Sequence, residues 1–158
     1  MKPKEKPNEA LSFVRKMMAL KAAGIAIAKP SLDDSQNLLT LNERIPKMLG
    51  IINAAKKSTQ MVYFIMYDIE DNKVRRQVSR FLEKKGFLRV QRSIFLAKSE
   101  RVAYEEIHNT LREVNELYTN YDSIIIIPVS NDEMRSMKLI GKNVDMMAYH
   151  ERPNSMIF

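Results

Sequence analysis

Residues 61–76 read MVYFIMYDIEDNKVRR, a run of seven apolar or aromatic residues that ends in a carboxylate and continues into a basic segment. The run 61–67 is rich in aromatic and β-branched side chains and too short to form a helix alone, so it predicts a buried strand. This strand places Asp68 at its end, where ligands of α/β folds bind. Because Asp71 or Asn72 is suited to cap the next helix, Asp68 is the acid without a structural role.

From Asn72 onward the pattern changes to that of an amphipathic helix. The inward positions, at spacings of three and four, are Val74, Val78, Phe81, Leu82 and Lys85. The outer face is basic and holds Arg75, Arg76, Arg80 and Lys84. We expect Gly86 to end this helix, since glycine is the residue most often found just past a helix C-terminus.

The rest of the segment up to residue 129 continues the alternation of strands and helices. Residues 87–98 predict two short strands joined by a tight bend near Arg92 and Ser93, and residues 99–118 predict a second amphipathic helix. Residues 122–129 predict another buried strand. The order β-α-β-β-α-β indicates an α+β fold of the ferredoxin-like kind.

Helices on one face of an antiparallel sheet leave the other face without cover. The last strand is apolar at every position from 124 to 127, and we expect Ile125 and Ile127 to lie on that second face. In this interpretation no third element of the chain covers them. The sequence therefore predicts an obligate homodimer in which a second copy does so.

Residues 1–58 form a basic extension before the core, which we assign to residues 59–158. The extension has eleven Lys and Arg against five acids and holds +6 of the net charge of +7. We predict helical stretches at 9–28 and at about 41–57, which together indicate a helical hairpin that docks on the core or on a partner. Thr40 and Glu43 are spaced as a capping box for the second helix, and Pro46 predicts a kink or a later start. The charge of the extension favours nucleic acid as the partner, contacted by Lys16, Lys21, Lys47, Lys56 and Lys57. The alternative is a solvated helical surface.

The composition argues against several classes of site. The chain has no cysteine, which removes disulfides and thiolate metal sites and fits a reducing cytosol, so we expect a cytoplasmic protein. The apolar run 11–28 contains three basic residues, which argues against a membrane span or a signal peptide. His108 and His150 have no acid or cysteine at ligand spacing, and no glycine-rich phosphate loop is present, so zinc, triad and nucleotide sites have no support.

Four blocks of sequence carry a resemblance to a known family. They read YDI at 67–69, KVRR at 73–76, RVQRSIF at 89–95 and DSIIIIP at 122–128. In order and spacing they resemble the CRISPR-associated Cas2 family. The resemblance covers residues 61 to about 128 well, the tail to residue 158 loosely and residues 1–60 not at all.

The resemblance implies a dimer in which a C-terminal strand, here residues 143–149, crosses onto the partner's sheet. A twofold axis near the end of the first strand would bring two copies of Asp68 together to bind Mg²⁺ or Mn²⁺, which can activate water. The resemblance further implies catalytic roles for Arg75, Arg89 and Phe95. Nucleic-acid contacts are expected from Arg75, Arg76, Arg80, Arg89 and Arg92.

Plainer interpretations of the same residues stay open. Strand-end acids such as Asp68 often serve as caps or turn residues, the arginines at 75 and 76 could be solvated, and Phe95 could be plain core. Gln77 stands where the family has a basic residue, a departure that bears on nuclease potency.

Two classes of function follow from the resemblance. In the first, the protein is a metal-dependent endonuclease that cuts RNA or DNA. In the second it is a scaffold for spacer acquisition, which binds duplex DNA through backbone contacts and bridges dimers of the Cas1 integrase. A third possibility is a VapD-like toxin endoribonuclease, since such proteins share the fold.

Overall fold

The computed structural model describes residues 15, 17, 18, 20–26, 38–54, 59–116 and 121–140. The elements in these ranges, numbered in chain order, are α1 Leu41–Asn53, β1 Gln60–Asp68, α2 Asn72–Lys84, β2 Leu88–Gln91, β3 Ile94–Glu100, α3 Arg101–Glu116, β4 Ser123–Val129 and α4 Asn131–Ser136. The described residues between 15 and 22 are also helical.

The four strands form one antiparallel sheet in the order β2-β3-β1-β4. The predicted α+β class and β-α-β-β-α-β order are confirmed, with α1 added before this core and α4 after it. Asp71 caps α2 by accepting hydrogen bonds from the backbone N–H groups of Lys73 and Val74. The bend between β2 and β3 lies at Arg92 and Ser93, as predicted.

Successive residues of β1 point to opposite faces of the sheet and so build two cores. Tyr63 and Ile65 belong to the helix-side core, where α2 and α3 pack. Val62 and Phe64 belong to the opposite side, which we call the second face. The inward residues of α2 differ in part from the prediction, because Lys85 is exposed and pairs with Glu106 whereas Gln77 and Ser79 are buried.

The second face is covered within the chain by α1. Met48 and Ile52 of α1 and Met134 of α4 pack there with Val90 and Leu96. The premise that no third element of the chain covers this face is therefore wrong. The cover is incomplete, since Ile125 and Ile127 on β4 remain 53% and 39% exposed.

Polar contacts attach α1 to the sheet at both of its ends. Arg44 donates to the backbone carbonyl of Val90, at the point where a bulge interrupts the pairing of β2 with β3. Lys98 of β3 donates to the carbonyl of Ala54, which caps the C-terminus of α1, at 3.0 Å. These bonds satisfy backbone groups that a helix end and a bulge leave without regular partners.

The start of α1 confirms the predicted capping box of Thr40 and Glu43. The helix begins at Leu41 with Pro46 inside it, so a start at residue 45 or 46 is wrong. It ends at Asn53, because Ala54 has an extended backbone with ψ of 137°, and the predicted continuation to residue 57 is also wrong.

The helix before α1 ends at residue 22 rather than at residue 28, and Gly24 lies in the turn that terminates it. Gly24 has φ of 88°, a conformation that glycine adopts without strain. Its N–H donates to the Lys21 carbonyl while the Ile25 N–H donates to the Leu20 carbonyl, and the same pair of bonds ends α2 at Gly86, as predicted there.

The two N-terminal helices pack on different faces of the sheet. Met17 and Leu20 join the helix-side core, whereas Met48 and Ile52 of α1 join the second face. The expectation that these helices dock on the core is therefore confirmed for the described residues, although they do so on opposite faces of the sheet. The tail strand predicted at 143–149 lies outside the described residues.

Within the described part of the chain, no helix has the length and apolar character needed to cross a membrane.

Candidate active-site cleft

A cleft of about 810 Å³ opens on the second face at the end of β1, and it contains Asp68. Its walls come from the start of α1, the β2–β3 bend, the start of β4 and the segment after α4. The lining residues are Leu38, Leu41, Arg44, Met66, Tyr67, Asp68, Gln91, Arg92, Ser93, Ile94, Ser123, Ile125, Lys138, Leu139 and Ile140. The volume is that of an ordinary small-ligand site.

Asp68 is the last residue of β1 and its side chain is exposed. It pairs across the sheet with Ser123, and strand alternation puts both on the same face as Met66. Among the described residues no hydrogen bond or ion pair holds the Asp68 carboxylate. The structure thus places the Asp68 carboxylate in the cleft with both oxygens available to a ligand.

Contacts to the next loop fix the direction in which the chain leaves Asp68. Asp122 accepts a hydrogen bond from the Glu70 N–H at 2.9 Å, and Asp71 caps α2. Arg75 donates to the Ile69 carbonyl at 3.4 Å and to the side chain of Asn72. Asp71 and Asp122 therefore hold the loop, while Asp68 takes no part in it.

On the helix side of the same strand end, Tyr67, Arg89 and Phe95 form what we call the Tyr67 cluster. Tyr67 and Phe95 are stacked with ring centroids 6.2 Å apart, and the Arg89 guanidinium lies 5.8 Å from the centre of the Phe95 ring. Arg89 also pairs with Glu83 at 3.4 Å. Burial raises the pKa of the Tyr67 phenol above its ordinary value of 10.0, against smaller opposing effects of Ser79 and Arg89.

The Tyr67 cluster holds the β2–β3 bend from behind. Arg89 donates two hydrogen bonds to the Arg92 carbonyl, at 2.8 and 3.2 Å, and the Tyr67 hydroxyl donates a third at 3.3 Å. The Tyr67 N–H donates to the Ser93 carbonyl at 3.0 Å. The backbone that carries the Arg92 side chain into the cleft is thereby fixed.

The structure separates the residues predicted to be catalytic. Asp68 lies in the cleft, whereas Arg89 and Phe95 lie on the opposite face and Arg75 lies beside the loop after β1. Phe95 has no exposed surface, so direct contact between its ring and a substrate is excluded in this conformation. Phe95 can therefore influence the site only indirectly, by supporting Arg89 and Tyr67.

The residues predicted to bind nucleic acid are likewise divided. Arg92 is exposed and lines the cleft, and Arg76 is exposed on α2 with its Nε bonded to the Asn72 carbonyl at 3.3 Å. Arg80 is half-buried on the same helix. Lys21 and Lys47 are exposed on helices that pack on opposite faces of the sheet, and Lys16, Lys56 and Lys57 lie outside the described residues.

Among the described residues that line the cleft, Asp68 supplies the one carboxylate. No cluster of three or more His, Asp or Glu suited to a metal occurs in the described ranges. A lone carboxylate fits Mg²⁺ or Mn²⁺ better than zinc, because Mg²⁺ keeps several waters and takes only one or two carboxylates. His108 is exposed on α3, far along the chain from Asp68, and His150 is not among the described residues.

Sequence reasoning missed two cations of the cleft, Arg44 and Lys138. Arg44 comes from the extension and is separated by 46 residues from Val90, to which it bonds. No local pattern predicts that pairing. Tyr67 was also missed as a support, although an aromatic residue directly before the candidate acid was a visible signal.

Comparison with known proteins gives a consistent result for the core. The sequence model of the family described as CRISPR associated protein Cas2 matches residues 61–137. The chain is 29% identical over 86 residues to a CRISPR-associated endoribonuclease Cas2 of Aeropyrum pernix, covering 54% of this chain and 91% of the relative. It is 27% identical over 82 residues to CRISPR-associated endoribonuclease Cas2 1 of Pyrobaculum aerophilum, covering 52% and 82%. The extension lies outside the match to the family, and the matches favour the CRISPR interpretation over a VapD-like toxin.

Proposed function

Because residues 61–137 place this chain in the CRISPR-associated Cas2 family, we propose that it is a metal-dependent endoribonuclease whose reaction takes place in the Asp68 cleft. The names of the two relatives support RNA as the substrate. The observation that carries the proposal is an exposed Asp68 carboxylate, without a partner among the described residues, in a cleft that also holds Arg44, Arg92 and Lys138.

In this proposal Asp68 holds the cation and orients the attacking water. Mg²⁺ or Mn²⁺, when bound, supplies charge that stabilises the phosphate and lowers the pKa of a water. Arg92 binds a phosphate oxygen next to the scissile bond, because a guanidinium donates charge-assisted hydrogen bonds to phosphate. Within the part of the chain that the structure describes, neither side chain makes a hydrogen bond or ion pair that would have to be given up.

Arg89 acts as a positioning residue. It faces away from the cleft, and its two hydrogen bonds to the Arg92 carbonyl fix the bend. Catalysis by fixed charges requires them to be in place before the substrate arrives. The roles that the resemblance implied for Arg89 and Phe95 are thus explained without direct contact to RNA.

A homodimer is the form in which we expect the site to be complete. The described lining of the cleft offers one carboxylate per chain, and two Asp68 side chains would hold a cation more firmly than one. Ile127, on the same face as Ile125 but outside the lining of the cleft, is 39% exposed, and a second copy could cover it.

The test compares Asp68→Asn with Glu113→Gln, a change of one exposed acid on α3. Purified proteins are incubated with a labelled single-stranded RNA in Mg²⁺, in Mn²⁺ and in a chelator. We expect cleavage by the wild type and by Glu113→Gln in either metal and none in chelator, while Asp68→Asn is inactive but folded. Cleavage by Asp68→Asn at the wild-type rate would refute the proposal.

A second function is favoured by the exposed basic residues of α2, which lie outside the cleft. Lys73, Arg76 and Lys84 are exposed along one helix, an arrangement suited to the backbone of a duplex. We propose that this surface binds duplex DNA during spacer acquisition, with the Cas1 integrase as partner. Spacer acquisition that persists in Asp68→Asn cells would separate this role from cleavage.

A further inference from the structure

The strand-end cleft is built jointly by the family core and by the extension that lies outside the match to the family. The extension contributes Leu38, Leu41 and Arg44, all at or just before the start of α1. Removing α1 would therefore leave Asp68 on an open sheet surface instead of in a cleft. The residues that form this added wall indicate which kind of ligand the cleft can bind.

Arg44, like Arg75, is fixed in place by neutral groups, but it also lines the cleft. Its Nε donates to the Thr40 carbonyl at 3.3 Å and its Nη1 donates to the Val90 carbonyl, so two neutral groups orient it. Arg89 by contrast has Glu83 beside it. No carboxylate pairs with Arg44 among the described residues, and a guanidinium has five N–H donors, so its charge and several donors are available to the cleft.

The cleft combines this charge with an apolar floor. The described lining residues include three cations, Arg44, Arg92 and Lys138, and one carboxylate, a balance that favours an anionic ligand. Between them lie Met66, Ile94 and Ile125 of three neighbouring strands, and Ile125 is 53% exposed. A ligand in which phosphates are separated by flat apolar rings would match both the positive charge and the apolar floor.

We propose that the extension makes this cleft a binding site for an unpaired stretch of RNA, in which Arg44 contacts a backbone phosphate and a base lies on the floor formed by Met66, Ile94 and Ile125. The RNA class rests on the proposed function. An unpaired base presents its flat face to an apolar surface, whereas a base within a duplex is already stacked on its neighbours. The cleft therefore prefers single strands.

Binding is measured in chelator, so that no cleavage occurs, with a fluorescein-labelled ten-nucleotide polyuridine and the full-length protein. Arg44→Gln is compared with Arg101→Gln, which removes one charge from an exposed arginine at the start of α3 that pairs with Glu105 at 4.0 Å. We expect Arg44→Gln to raise the Kd about tenfold, as for the loss of one charged hydrogen bond, and Arg101→Gln to leave it unchanged.

The salt dependence separates a phosphate contact from a merely structural role. Loss of one contact to a single strand lowers the slope of log affinity against log salt by about 0.7. We expect this decrease for Arg44→Gln and for Lys138→Gln, and partial recovery of affinity in Arg44→Lys. A duplex of the same length should bind more weakly than the single strand and should not respond to Arg44→Gln.

Two results would overturn the inference. One is that Arg44→Gln has the same Kd and the same salt dependence of affinity as Arg101→Gln, and that Lys138→Gln also leaves both unchanged. The other is a change of oligomeric state in Arg44→Gln with binding retained, which would assign the cleft to a second copy of the chain. If the wild type binds RNA through Arg44 but never cleaves it, the inference stands and the proposed nuclease activity is refuted. If the wild type cleaves RNA but Arg44→Gln changes neither binding nor cleavage, the nuclease activity stands and the inference is refuted.

Discussion

The two sides of the sheet at the end of β1 differ in burial and in hydrogen bonding, although Tyr67 and Asp68 are neighbours in the chain. On the helix side, Tyr67 and Phe95 are buried, and Arg89 has an acidic partner and two bonds to one carbonyl. On the other side, Asp68 and Arg92 are exposed and hold no partner among the described residues. The hydrogen-bonded groups on the helix side make the strand end rigid, whereas the side chains on the cleft side are available to a ligand.

The comparison also explains how one bend serves both sides. Its backbone accepts the bonds of Arg89 and Tyr67, while its Arg92 side chain lines the cleft. Substitutions on the helix side should therefore lower stability first and activity as a consequence. Substitutions of Asp68 or Arg92 in the cleft should affect activity alone.

The largest expected effect is that of Phe95→Ala. Removing a ring that has no exposed surface should lower the free energy of unfolding by about 3–5 kcal/mol, since a cavity remains in the core. Asp68→Ala should change it by less than about 0.5 kcal/mol, as for an exposed residue without partners. Urea unfolding followed by circular dichroism measures both, and equal losses would abolish the distinction between the two sides.

Arg89→Lys is expected to affect both sides at once. Lysine keeps the charge but has a single nitrogen, so it cannot replace the two Arg89 nitrogens that donate to the Arg92 carbonyl, and the bend loosens. We expect a loss of stability of about 1–3 kcal/mol and a fall in kcat/KM of about tenfold, equivalent to roughly 1.4 kcal/mol. Arg76→Lys, on the exposed face of α2, is the matched control. An unchanged rate in Arg89→Lys would show that the cleft does not depend on the Tyr67 cluster.

Thr40→Ala tests the wall that α1 adds to the cleft. Loss of this N-cap should destabilise α1 by about 0.5–2 kcal/mol. Amide hydrogen exchange should then speed up in α1 while α2 and α3 stay protected. Uniform acceleration across all helices would instead show that α1 and the core open as one unit.

The same cap predicts a pH dependence. Hydrogen bonds from the Thr40 hydroxyl and backbone N–H hold the pKa of Glu43 below its ordinary value of 4.5. A carboxyl with a depressed folded-state pKa stabilises the fold above its unfolded pKa, and that contribution is lost as the pH falls through the folded value. Exchange in α1 relative to α2, corrected for intrinsic rates, should therefore increase below about pH 4.5 in the wild type and not in Glu43→Gln.

The smallest effect concerns the buried phenol of the Tyr67 cluster. Its folded-state pKa is raised by burial, so its contribution to stability is complete below pH 10.0 and is lost as the pH rises toward the folded value. Tyr67→Phe should flatten the alkaline part of the stability curve, leaving a remainder from Tyr63, whose pKa burial also raises. An alkaline limb identical to that of the wild type would show that Tyr67 ionises freely in the folded protein.

Much of the core was predictable from the sequence because its signals are local. The seven-residue apolar run marked β1, Asp71 was one of two proposed caps for α2, and Gly86 marked its end. The capping box of α1 was also visible as Thr40 and Glu43 three residues apart. Each of these features depends on backbone chemistry within one helical turn or one strand.

The sequence by itself therefore determined the strands and helices of the core, their order and the position of Asp68 at a strand end. Only the tertiary structure decided that α1 covers the second face, that Arg44 and Lys138 join Asp68 in one cleft, and that Phe95 lies on the opposite side. These outcomes depend on contacts between distant segments, such as the bond between Arg44 and Val90 across 46 residues. Propensity and periodicity act over a few residues, whereas the choice between two apolar faces is made by the packing of the whole chain.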